Sequence, residues 1–225
     1  MIRRRLMMLK KSSGGLPEGY TAVDYIQTSG SQRIDTGVKS SASVGLSADF
    51  CFVDARSNQN LAQTYSDSEH YLLMVLMISS WGSPDGAAWF VCGYNAVQYF
   101  KKADTDRHVY HFNADGQYTV EMDGIQYKKA DPSQTTFPAD ARNLWLFVRN
   151  SPYVDGYAYM KLYSCAMYDG GRKIRDFKPC LDADGVPCLY EQNSILQSGY
   201  RLFYLGVIKC TENLWTASFA ARRDR

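Results

Sequence analysis

Histidine occurs three times in 225 residues, at positions 70, 108 and 111. His108 and His111 are three apart, and on a strand that spacing sends the two rings to opposite faces, which argues against a paired-histidine zinc site. The chain also has no Cys-x-x-Cys, no Gly-rich phosphate loop and no G-x-S-x-G elbow. Zinc ribbons, nucleotide-binding loops and serine hydrolases therefore lose their usual signatures. Long apolar runs are missing too. The most apolar stretch, His70 to Ile78, is far below the ~18–20 residues a membrane helix needs, so no membrane span is expected. No segment carries a convincing helical pattern, and no internal repeat is evident.

Charge is nearly balanced at +2, too little to imply a polyanionic partner. The basic residues gather at the two ends, as Arg3-Arg4-Arg5 with Lys10-Lys11 and as Arg222-Arg223 with Arg225. Such clusters read as solvated, mobile termini rather than as a nucleic-acid arm. The start, MIRRRLMMLKK, has the basic residues of a signal peptide, but lysines cut off the apolar run Leu6 to Leu9 short of the usual ~7–15 residues. Sec export is therefore not expected. The six cysteines, Cys51, Cys92, Cys165, Cys180, Cys188 and Cys210, are spread out and read as buried free thiols. Cys180 and Cys188 are the candidates for an exception, because a turn at Asp184-Gly185 could bring them together.

What the chain does have is aromatic residues and turn signals. Tyr and Phe number 17 and 10, and charged residues make up 21%, a globular composition. The length suits one sizeable core. Residues 1–15, ending in Ser12-Ser13-Gly14-Gly15, read as a basic flexible tail, residues 16–191 as one domain and residues 192–225 as a divergent end. Six Asp-Gly dipeptides, beginning at residues 85, 115, 123, 155, 169 and 184, supply turns. Between most of them lie runs with strand character: Ala87 to Gly93, Val97 to Lys101, His108 to Asn113, Gln117 to Asp123, Ile125 to Lys129, Asn143 to Val148 and Tyr157 to Tyr168. Ser43 to Val53 alternates so that Val44, Leu46, Ala48, Phe50 and Phe52 share a core-facing side. His70 to Ile78 suits a buried strand or a short buried helix, and the strand-like neighbours favour strand. The sum is all-β, a sandwich or barrel.

Met160 to Glu191 organises this pattern. Met160 to Tyr168 is apolar or aromatic on both alternating faces, with Met160, Leu162, Ala166 and Tyr168 on one and Tyr163, Cys165 and Met167 on the other, as expected of a strand covered on both sides. Asp169-Gly170-Gly171 is the hairpin turn, and Lys173 to Phe177 the returning strand.

Candidate chemistry is sparse. Glu121 and Asp123 resemble part of the paired carboxylates of laminarinase-type glycoside hydrolases but lack the second glutamate that completes that pattern. Asp182-Ala183-Asp184-Gly185 resembles the start of a Ca2+ loop without its later ligands, so it reads as a turn, and no cofactor is expected. Sugars present C–H faces that stack on aromatic rings, so exposed aromatics beside amides are candidate glycan ligands. Trp81, next to the Ser83-Pro84-Asp85-Gly86 loop, and Tyr94 with Asn95, between two strand runs, fit that description. Trp89 and Trp145 lie inside apolar runs and read as core.

LPEGYTAVDYIQTSGSQRIDTGV and RDFKPCLDADGVPCLYE, with RHVYHFNADGQYTVEMDG and NLWLFVRN between them, resemble concanavalin A-like, laminin-G-like domains of bacteriophage and prophage tail or minor structural proteins and of surface proteins of gut Firmicutes. The resemblance spans Leu16 to Glu191. It implies a two-sheet antiparallel jelly-roll sandwich, located in a phage or prophage particle made in the bacterial cytoplasm, while the sparse candidate chemistry favours a non-enzymatic module. It further implies recognition of host-surface carbohydrate, and contacts with other virion subunits or with further copies of the same chain. The purely structural virion protein of the same fold is the alternative, and a glycoside hydrolase the third. The Gly-rich turn before the last strand of such domains is missing after Asn193, which motivates the expectation of a divergent end.

Overall fold

The computed structural model describes residues 16, 18–54, 58–65, 71–73, 76–78, 87–92, 97–102, 104–129, 142–150, 156–192 and 207–209. Among these residues every regular element is a strand and there is no helix. The strands are β1 (Thr21–Ala22), β2 (Ile26–Gln27), β3 (Ile34–Lys39), β4 (Val44–Phe52), β5 (Gln59–Asn60), β6 (Ala62–Tyr65), β7 (Tyr71–Leu73), β8 (Leu76–Ile78), β9 (Ala87–Cys92) and β10 (Val97–Lys102). They continue with β11 (His108–Phe112), β12 (Thr119–Met122), β13 (Ile125–Lys129), β14 (Asn143–Leu146), β15 (Arg149–Asn150), β16 (Met160–Asp169), β17 (Arg172–Leu181), β18 (Pro187–Glu191) and β19 (Val207–Lys209). No helix of the described residues is long and apolar enough to cross a membrane.

Two sheets form. The first runs β13-β12-β11-β4-β16-β17-β18-β19, with β1 added on β17 and β2 on β16; the second runs β3-β14-β6-β7-β9-β8-β5, with β10 on β9 and β15 on β6. All pairings are antiparallel except β15 with β6. One hydrophobic cluster draws on both sheets: Leu46, Phe50, Phe112, Leu162 and Phe177 from the first, and Ile34, Ala62, Leu144 and Leu146 from the second. The fold is therefore sandwich-like, each sheet turning one face to the shared core. Every core-facing residue expected in β4 (Val44, Leu46, Ala48, Phe50 and Phe52) is buried. Phe50, Tyr110 and Phe112 stack in a row with centroids 4.9 and 5.6 Å apart.

Local turn chemistry explains how neighbouring strands meet. Asp169 pairs with Arg172, leaving Gly170 and Gly171 as a two-residue loop with φ of 55° and 81°. Asp123 and Gly124 form the same kind of loop between Met122 and Ile125, with φ of 52° and 80°. Both are the positive-φ turns that match the right-handed twist of a hairpin.

The described parts of the run His70 to Ile78, β7 and β8, both run antiparallel to β9, with registers one residue out of step. Two expectations need correction. The faces of β16 differ from strict alternation. Its pairing with β4 slips between Leu162 and Ser164, so Met160, Leu162, Cys165 and Met167 enter the core, while Ala166 shares the other face with Lys161 and Tyr163. One inserted residue reverses the phase of everything after it. Trp145, in turn, is half-buried and lies on the opposite side of β14 from the fully buried Leu144 and Leu146. Its place inside an apolar run made it look like core, but alternation turns it outward.

Candidate functional site

Trp145 is the centre of a row running across the outward side of the second sheet. It stands opposite Asp35 of β3 on one side and Gln63 of β6 on the other, and Gln63 in turn stands opposite Arg149 of β15. Cross-strand partners share a face, so a carboxylate, an indole, a primary amide and a guanidinium lie side by side. The Arg33 guanidinium covers the indole ring, with its carbon 4.8 Å from the ring centroid. Asp35 is held in place: its Oδ1 accepts from the Gly37 N–H at 2.8 Å and from Asn143 Nδ2 at 3.0 Å.

Two atoms of this row stand out. Gln63 is only 5% exposed. Its Oε1 accepts no hydrogen bond, and neither does Trp145 Nε1 donate one, although both atoms are shielded from solvent. An amide oxygen or indole N–H taken out of water without a partner costs about 1–3 kcal/mol. A hydroxyl group can accept from an N–H or donate to a carbonyl oxygen, so it matches either atom in kind. The arrangement suits a polyhydroxylated ligand: an aromatic face for C–H groups, flanked by fixed amide, carboxylate and guanidinium groups.

A second aromatic cluster lies on the outward side of the first sheet. Arg107 donates to both carboxylate oxygens of Asp49, at 2.8 and 2.7 Å, and its guanidinium carbon lies 3.7 Å from the Tyr163 ring centroid. The hydrogen bond to Asp49 raises the Arg107 pKa above its ordinary value, while burial followed by the neighbouring Cys51 raises that of the Tyr163 phenol. Tyr25 packs on Tyr163 with centroids 5.4 Å apart, and Lys161 Nζ lies 5.0 Å from the Tyr25 ring centroid. The cations of the chain itself already occupy these rings.

The carboxylates singled out in the sequence serve the backbone. Asp123 lies in the turn between β12 and β13; its Oδ1 accepts from the Val109 N–H at 2.9 Å and its Oδ2 lies 2.5 Å from His108 Nδ1. The other ring nitrogen of His108 is 3.0 Å from Asp104 Oδ1. Glu121 instead faces His111 across the strands, at 3.9 Å. Asp104, Asp106 and His108 bring three potential ligand atoms within 4.8 Å of one another. His108 contacts a carboxylate with each nitrogen, so this grouping acts as a clamp on the end of the β11–β12 pair. At the other candidate ion loop, Asp182 Oδ1 accepts from the N–H groups of Asp184 and Val186, at 3.0 and 2.9 Å. That is an Asx-type turn.

Trp81, Tyr94 and Asn95, the glycan ligands expected from the sequence, lie outside the described residues. The row around Trp145 was missed because the sequence places its members far apart, at 33, 35, 63, 145 and 149. The alternation of Asn143 and Trp145 against Leu144 and Leu146 was the available signal. No protein-family model, curated protein or solved structure matches this chain.

Proposed function

We propose that the protein is a non-enzymatic binding module of a phage or prophage particle, a concanavalin A-like jelly roll that recognises host-surface carbohydrate. The observation that carries the carbohydrate reading is the Trp145 row. An indole lies beside an amide whose oxygen is buried without a donor, and sugar hydroxyls supply that donor. The virion setting rests on the family resemblance of Leu16 to Glu191, and the sandwich-like pair of antiparallel sheets is compatible with it. Binding of this kind needs neither metal nor cofactor in the contacts named.

A glycan array probed with the purified chain, followed by Trp145→Ala and Gln63→Leu, tests the reading. Binding that falls at least tenfold in both variants, with the thermal transition retained, supports it. Binding unchanged in both, or lost only in Trp81→Ala, removes this site.

One observation favours the alternative of a purely structural virion protein. Arg33 covers Trp145, Arg107 covers Tyr163 and Lys161 covers Tyr25, so these three aromatic faces are already engaged within the chain. Absence of any glycan binding together with stable incorporation into particles selects this alternative.

A further inference from the structure

Cys180 and Cys188 stand opposite each other in the β17–β18 hairpin, with Sγ atoms 3.3 Å apart. Each thiol also approaches the other residue's carbonyl oxygen, at 3.7 and 3.5 Å. Their place in the ladder follows from three backbone hydrogen bonds. Pro179 O accepts from the Val23 N–H at 3.3 Å, so the peptide groups of Pro179 face β1 and those of Cys180 face β18. Asp182 N donates to Val186 O and Gln192 N to Asp176 O, which fixes the same phase on both sides of the cysteines. Cys180 and Cys188 are therefore a hydrogen-bonded pair, whose α-carbons ordinarily lie about 5.5 Å apart. A disulfide spans about 4.4–6.8 Å between α-carbons. Closing the bond requires the sulfurs to approach from 3.3 Å to ~2.0 Å, by side-chain rotation rather than by any change of register.

We propose that this pair is a built cross-linking site, which closes into a disulfide when the protein meets a small-molecule disulfide oxidant. The Cys180 thiolate attacks one sulfur of the oxidant, whose S–S bond breaks and releases one thiolate. Cys188 then attacks Cys180 Sγ in the mixed disulfide and expels the second thiolate. Two protein thiols lose two electrons, the oxidant becomes two thiols, and the two protons leaving the cysteines protonate them.

Other features of the site agree with this chemistry. A hydrogen bond from Cys188 holds the Cys180 thiol below its ordinary pKa, against the opposing effect of burial. Burial instead pushes the thiol of Cys165 up, so that cysteine is a poor nucleophile. The pair is 0% and 1% exposed, beneath a small apolar cluster formed with Leu16, Tyr190 and Tyr20. Above it the chain is held by β1, two residues long, paired with Leu181 and Cys180. An oxidant gains access when that segment lifts. The biological timing rests on the proposed virion setting: thiols stay reduced in the cytoplasm and meet an oxidising exterior after release.

The test uses the full chain, purified with reductant, freed of it and incubated with oxidised glutathione. Thiols are then counted by maleimide labelling of the denatured protein and intact mass. The expected count falls from six to four, with a mass loss of about 2 Da, while Cys180→Ala and Cys188→Ala keep all five of their thiols apart from any glutathione adduct. Leu16→Ala is expected to speed closure at least threefold by loosening the cover. Retention of six thiols in the wild type even in mild denaturant overturns the proposal, as does a glutathione adduct that never resolves, or an internal bond that persists in both alanine variants. None of these readouts depends on glycan binding, so they fail or succeed separately from the Trp145 site.

Discussion

The carbonyl oxygen of Asn113 presses against the α-carbon of Gly45, so closely that a methyl group at position 45 would sit 2.1 Å from it. Asn113 is fully buried and ties three segments together: its Nδ2 donates to Ala42 O at 3.0 Å and to Val44 O at 3.2 Å, and its Oδ1 accepts from the Tyr118 N–H at 2.7 Å. The close approach of the two backbones is what lets one amide side chain bridge the start of β4 and the turn leading to β12.

Gly45→Ala is expected to destabilise the fold by about 1–3 kcal/mol, because backbone rather than a flexible side chain blocks the methyl group. Urea unfolding of the two proteins gives the value. An unchanged midpoint would show that the strands separate at no cost. Asn113→Ala is expected to lose a similar amount or more by leaving buried backbone groups unpaired.

Gln63→Leu separates stability from binding. Removing an amide oxygen that has no donor is expected to leave the unfolding midpoint unchanged or to raise it, since the buried polar cost disappears. Carbohydrate binding is expected to fall in the same variant. A drop in stability of several kcal/mol would mean that the amide holds the sheet together instead.

Arg107 and Asp49 form a two-pronged ion pair in which the side chains are 55% and 18% exposed. A double-mutant cycle with Arg107→Ala and Asp49→Ala is expected to give a coupling of no more than about 1 kcal/mol, decreasing with added salt. Coupling of several kcal/mol independent of salt would contradict the solvent exposure of the pair.

Alkaline pH is expected to weaken the fold. Burial raises the pKa of the Tyr110 phenol and of the Cys165 thiol well above their ordinary values, in each case disfavouring the anion. Stability from a raised pKa is fully present below the unfolded value and is lost as pH rises past it, here from about pH 8.5 for the thiol and about pH 10 for the phenol. Tyr110→Phe is expected to flatten the loss above about pH 10. Thermal unfolding of both proteins between neutral and strongly alkaline pH checks it.

The two hairpins closed by Asp123-Gly124 and Gly170-Gly171 were legible in the sequence because a positive-φ turn is a local requirement. The core face of β4 was legible for the same kind of reason, since its alternation is unbroken from Val44 to Phe52. The faces of β16 were not, because the slip at Leu162 to Ser164 is set by how the strand pairs with β4, more than a hundred residues earlier in the chain. Trp145 was misread when its hydrophobicity was weighed above its position in the alternation. The row it belongs to could not be assembled from sequence, because β3, β6, β14 and β15 become neighbours only through the sheet.

The short β1 strand also has a mechanical consequence. Tension applied through residues ahead of Leu16 would reach the first sheet at Thr21 and Ala22, which a two-residue pairing, the Val23 N–H to Pro179 bond and the packing of Leu16 and Tyr20 over the cysteines hold in place. That attachment would yield before the long pairing of β4 with β16, uncovering Cys180 and Cys188 while the central sheet stayed intact. A pull on this end would thus be converted into chemical accessibility of two sulfur atoms.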